Sequence, residues 1–195
     1  MHGLINRAIQ RFVTDSYGEA KWRAAALRAG LEFTEFEAMW TYDDEITPRL
    51  LEASCDVLDR SYEELAEDIG TYLVSHPNAD APRRLLRFGG VSFVEFLHSL
   101  DDLPDRARLA VKDLELPRVE LEEHSSQSYS LRCYSDMYGW GHVFMGVLRA
   151  LADDYGALVF LEHSGFSNGR ETVSIALLET EFSVGREFDL GARSA

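Results

Sequence analysis

Cysteine is scarce: Cys55 and Cys133 are the two in 195 residues. They stand far apart and fit neither a zinc spacing nor a disulfide framework. Their expected place is that of small core residues in a reducing compartment. Positive charge is also short. Nineteen Lys and Arg against 34 Asp and Glu leave a net charge of -15, which argues against nucleic acid or an anionic membrane as a partner. No stretch reaches the roughly 18 uninterrupted apolar residues of a spanning helix. The opening Met1-His-Gly-Leu-Ile-Asn-Arg7 lacks the apolar run and cleavage site of a signal peptide, so a cytoplasmic location is expected. Low-complexity tracts, internal repeats and long linkers are missing too.

What is present is apolar enough, at 46% hydrophobic and 11% aromatic, to bury a sizeable core. Leu4, Ile5, Ala8, Ile9, Phe12 and Val13 recur at helical spacing, and a second helix runs from Gly18 to Ala29. Thr47-Pro48 opens a third helix, and Ser61 with Glu64 makes a capping box for a fourth. A short helix is expected over residues 81–88. Ser92 with Glu95 forms another capping box, ahead of a helix whose apolar face carries Phe93, Phe96, Leu97, Leu100, Leu103 and Ala107. Pro104 falls inside that helix, where a proline costs roughly 3 kcal/mol, so a kink or a break near Asp101 or Asp102 is expected.

Beyond residue 112 the pattern changes. Residues 118–122 and 128–134 alternate polar and apolar, as strands do. Trp140–Tyr155 is a helix. Residues 157–162 and 172–178 are two further strands, and 181–188 is a ragged edge strand. The expected fold class is α+β: a helical lobe over about 1–112, then a lobe over about 113–190 with a helix on a four-stranded antiparallel sheet, the whole forming one domain.

Few motifs carry chemistry. Gly165-Phe-Ser-Asn-Gly169 matches a hydrolase nucleophile pattern, but a strand follows it instead of the required helix, which favours a hairpin turn. Of six histidines, His2, His76, His124 and His163 fall at a terminus or at element ends. Such positions are usually exposed, and none of the four has a cysteine or carboxylate at metal-ligand spacing. His98 and His142 lie on apolar helices. No catalytic constellation emerges, and no enzyme activity is expected.

Several stretches together resemble the haem-nitric oxide/oxygen binding (H-NOX) family, the sensor domain of soluble guanylate cyclase and its bacterial relatives. They are Met1-His-Gly-Leu-Ile5, Tyr42-Asp-Asp-Glu-Ile-Thr47, Phe96-Leu-His-Ser-Leu-Asp-Asp-Leu-Pro-Asp-Arg106, Leu116-Pro117 and Cys133-Tyr-Ser-Asp-Met-Tyr-Gly-Trp-Gly-His-Val-Phe-Met-Gly-Val-Leu148. The resemblance implies a helical lobe and an α/β lobe closing on a haem, in a domain that senses and does not catalyse. The family's ligand pattern Leu-Asp-x-Leu-His-Asp is matched by Leu100-Asp-Asp-Leu-Pro-Asp105, which puts Pro104 where the iron ligand stands. The propionate motif Tyr-x-Ser-x-Arg is matched by Cys133, Ser135 and Met137, of which the serine alone is retained. Pro117 matches the proline that presses on the porphyrin, and Ile5, Ile9 and Leu73 match apolar pocket walls. Counting forward from Cys133 puts His142 at the distal position; counting back from Gly146 puts Val143 there.

Two expectations follow from the resemblance. One is an H-NOX-fold sensor without the usual haem ligation, which takes an apolar or other small ligand. It would signal through a separate partner such as a histidine kinase or a cyclic-di-GMP enzyme. The other keeps haem for nitric oxide or oxygen sensing, with His142 or His98 as a non-standard iron ligand.

Overall fold

The computed structural model describes residues 1–87 and 89–180. The helical half contains α1 (Gly3–Tyr17), α2 (Glu19–Arg28), α3 (Ile46–Leu58), α4 (Tyr62–Ser75), α5 (Asp80–Arg87), α6 (Phe93–His98) and α7 (Leu103–Ala110). The second half contains β1 (Arg118–Ser125), β2 (Ser128–Tyr134), α8 (Trp140–Tyr155), β3 (Leu158–Ser167) and β4 (Arg170–Glu179). The edge strand expected over 181–188 lies outside the described residues. No helix among those described is long and apolar enough to cross a membrane.

Local chemistry sets the helix starts. His2 caps α1, its Nδ1 accepting from the Leu4 amide at 3.2 Å. Ser61 and Glu64 form the reciprocal capping box of α4. The box expected at α6 is only half made: Ser92 Oγ accepts from the Glu95 amide, but the Glu95 carboxylate takes the Val91 amide instead of that of Ser92.

The helix expected to run through Pro104 is two helices. α6 stops at His98, a turn covers Ser99–Asp102, and α7 restarts with Pro104 in its first turn. A first-turn amide has no intrahelical acceptor, so the proline removes nothing there. Arg106 bridges the break by donating to the Ser99 carbonyl at 2.9 Å.

The four strands form one antiparallel sheet in the order β1-β2-β4-β3. The β3–β4 connection is a tight hairpin whose turn residues Asn168 and Gly169 both have positive φ, which settles the Gly165–Gly169 pattern as a turn. Leu131, Cys133, Val173, Ile175 and Leu177 point to one face, where α8 lays Leu148 and Leu151 on them. A second core joins Ile9, Phe12 and Val13 of α1 to Trp22, Leu50, Leu65 and Ile69. The two halves meet where α4 crosses α8 at Gly70 and Gly146. A Cβ on Gly70 would lie 2.0 Å from the Val143 carbonyl oxygen, and one on Gly146 would lie 2.0 Å from that of Glu67.

Candidate functional site

Between the two cores lies a cavity of about 550 Å³, within the usual range for a small-molecule site. α1 lines it with Ile5 and Ile9, α4 with Ala66, Ile69 and Leu73, and α7 with Leu103 and Ala107. Leu114, Leu116 and Pro117 close one side; Met137, Tyr138, Trp140, Val143, Phe144 and Val147 close another. Polar groups at the wall are Arg7, Arg11, Thr47, Asn78 and the phenols of Tyr62, Tyr72 and Tyr138.

Those phenols are committed. Tyr62 donates to the Tyr138 carbonyl at 3.0 Å, Tyr72 to Asp15 Oδ2 at 2.6 Å and Tyr138 to Glu63 Oε1 at 3.1 Å. Burial, chiefly, pushes all three phenol pKa values up, that of Tyr138 to about 12, so each stays protonated at neutral pH.

Asp15, which accepts the Tyr72 hydroxyl from behind the wall, adds a pH-dependent contribution. Burial alone would raise its pKa, but hydrogen bonds from Tyr72 and Asn78 and the charges of His76 and Arg11 outweigh it and hold the carboxyl below its ordinary 3.8. A lowered carboxyl stabilises the fold above its unfolded pKa, and the contribution is lost as pH falls through the lower folded value. Tyr72→Phe is therefore expected to cost about 1 kcal/mol at pH 7. Urea unfolding at pH 7 and again in strong acid checks this: the difference from the parent should shrink once Asp15 is protonated.

The structure divides the residues singled out from the sequence. Ile5, Ile9, Leu73, Pro117, Met137 and Val143 line the cavity. Of the two α8 residues considered for the distal position, Val143 faces it and His142 does not. Pro104 is half-buried in the first turn of α7 and is not among the lining residues. At about 100° per residue it sits about 60° around the helix from Ala107, on the flank of the lining face.

Five others lie elsewhere. Cys133 follows the inward parity of β2 into the α/β core, where burial pushes its thiol pKa far up. Ser135 Oγ accepts from the Met137 amide and holds a turn. Gly146 belongs to the α4–α8 crossing. His98 is exposed on the far side of α6, with Nε2 3.3 Å from Glu123 Oε2. His142 is buried, but its ring packs 4.0 Å from that of His163, and its Nε2 meets the Tyr138 hydroxyl at 3.1 Å. Burial first, then His163, pushes the His142 pKa below the ordinary range.

Two histidines assigned to exposed positions are not there. His2 is buried as the α1 cap. His163 lies 2.9 Å from the buried carboxylate of Glu171, a cross-strand pair that sequence spacing did not show because the β3–β4 register puts His163 opposite Val173, two residues from Glu171.

No histidine or cysteine lines the cavity among the described residues. The donors left for an axial iron ligand are the three protonated phenols and the Met137 thioether. A ligating tyrosine acts as phenolate, which burial opposes here. The haem implied by the fold is therefore poorly matched by these donors.

The family model described as Haem-NO-binding matches residues 2–163. Soluble guanylate cyclase gcy-31 of Caenorhabditis elegans is 26% identical over 154 residues, covering 79% of this chain and 22% of that protein. Guanylate cyclase soluble subunit beta-2 of Rattus norvegicus is 28% identical over 93 residues, covering 48% and 14%. The chain thus spans about a fifth or less of these curated relatives. Among solved structures, a mutant of the K. algicida H-NOX protein in its Fe(II) unliganded state superposes with a TM-score of 0.78 at 19% identity, covering 92% of this chain and 97% of that one. An H-NOX protein from S. oneidensis in the Fe(II)NO ligation state superposes with 0.76 at 14% identity, covering 92% and 100%. The α+β architecture accords with these matches, and the chain belongs to the haem-NO-binding family.

Proposed function

We propose that this chain is a sensory member of its family that keeps the fold and the cavity but not the family's haem ligation. The observation that supports this is the wall: about 550 Å³ of largely apolar space without a histidine or cysteine among the described lining residues, and Pro104 at the ligand position. In this reading the cavity takes a small apolar ligand. Its occupancy changes the fit between the halves, and an effector reads that change. A histidine kinase or a cyclic-di-GMP enzyme is the kind of partner that the family resemblance suggests. The chain itself performs no chemistry.

A neutral apolar dye tests the cavity. Nile red is expected to brighten on binding the parent protein and to bind about tenfold more weakly, a loss of about 1.4 kcal/mol, in Ala107→Phe, whose ring enters the cavity. Equal binding by both proteins would place the dye elsewhere and remove support for an open cavity.

A further inference from the structure

We propose that His142, His163 and Glu171 form a binding site for one zinc-class divalent cation, outside the cavity. One donor atom from each lies within 4.8 Å of the others. Donors about 2.1 Å from a tetrahedral ion stand roughly 3.4 Å apart, so closing the set requires the His142 and His163 rings, now 4.0 Å apart and tilted by 31°, to turn their nitrogens toward a common point. Two imidazoles and one carboxylate are a zinc donor set that leaves a fourth position open.

Three features of the surroundings support a site over a simple ion pair. The Glu171 side chain is 2% exposed, and among the described residues no Lys or Arg pairs with it; its contacts are His163 and the Gly139 amide. A carboxylate this buried needs a cationic or hydrogen-bonding partner, and buried charges are generally paired or coordinate metals. Gly141 leaves room next to the donors: a Cβ there would fall 2.7 Å from His163 Nε2 and 2.8 Å from Glu171 Oε2.

His142 also has the outer support of a metal ligand. Tyr138 gives its proton to Glu63, so His142 Nε2 donates to Tyr138, and Nδ1 keeps its lone pair. A ligating histidine held by its other N–H is the usual arrangement. His163 now donates from Nε2 to Glu171 and accepts the Gly165 amide at Nδ1, 3.2 Å away. Metal at Nε2 moves that proton to Nδ1, so the Gly165 amide loses its acceptor. The proton stays on the imidazole, the ion with its carboxylate and two imidazoles carries a net single positive charge, and no oxidation state changes.

The test uses the whole chain, stripped with EDTA and titrated with Zn²⁺ and with Co²⁺. One equivalent of either is expected, with Co²⁺ giving the visible bands of four-coordination. Zn²⁺ should shift the Gly165 amide and the His163 ring nitrogens in ¹⁵N spectra. His163→Gln and Glu171→Gln should each weaken binding by more than the roughly 10–100-fold typical of outer-shell changes. Ala107→Phe should bind as the parent does, which separates this site from the cavity. The parent chain's failure to take up Zn²⁺ stoichiometrically would overturn the proposal without reference to any variant. So would unchanged binding in both substituted proteins.

Discussion

Replacing Pro104 by His together with Met137 by Arg is expected to produce a protein that takes up haemin and shows a Soret band where the parent shows none. The two positions do different work. Position 104 lies on the flank of the α7 face that carries Leu103 and Ala107 to the cavity, so an imidazole there reaches space that the proline ring does not. Pro104 occupies a first-turn position, so exchanging it leaves the rest of the α7 hydrogen-bond ladder intact. Met137 already lines the wall, and an arginine supplies the planar donor pair that a propionate favours. Cys133 is best left unchanged, since it is 1% exposed in the α/β core and a tyrosine would have to force its ring into packed space. Circular dichroism verifies folding, and the Soret absorbance after gel filtration gives the answer. A folded double variant that stays colourless would mean that position 104 does not address the cavity.

The second large effect concerns the joint between the halves. Gly70→Ala and Gly146→Ala each gain roughly 1 kcal/mol in helix propensity, yet each is expected to destabilise the protein. Either new Cβ would stand 2.0 Å from a carbonyl oxygen of the opposite helix, and backbone cannot rotate aside as a side chain can. Overpacking costs of about 1–3 kcal/mol are usual, and a backbone clash belongs at the upper end, so the net loss is about 2 kcal/mol. For a chain of this size that lowers Tm by roughly 4–8 °C. The double variant should lose less than the sum, because helices already pushed apart accept the second methyl more easily. Thermal unfolding of the four proteins measures this; unchanged Tm values would mean that α4 and α8 do not approach as closely as described.

How far the sequence could be read depended on whether a feature was local. α8 and β2 are periodic, well-bounded runs, and both lie where their patterns put them. Capping at Ser61 was legible because its partner is three residues away. Pro104 marked a discontinuity, but one helix or two depended on Arg106 and the Ser99 turn, which periodicity does not encode. The distal position could not be assigned by counting; the helix rotation fixed by the α4–α8 contact turns Val143 inward and His142 toward the sheet. The His163–Glu171 pair was invisible because it joins residues on neighbouring strands, eight apart in sequence and across the β3–β4 hairpin, whose register the sequence pattern does not give.

Haemin titration of the parent chain tests most directly whether the fold persists without its usual iron ligation. Protein produced with haem precursor, then mixed with haemin and passed over a sizing column, should elute with no Soret band. A stoichiometric band that survives the column, and shifts on adding nitric oxide, would contradict the account.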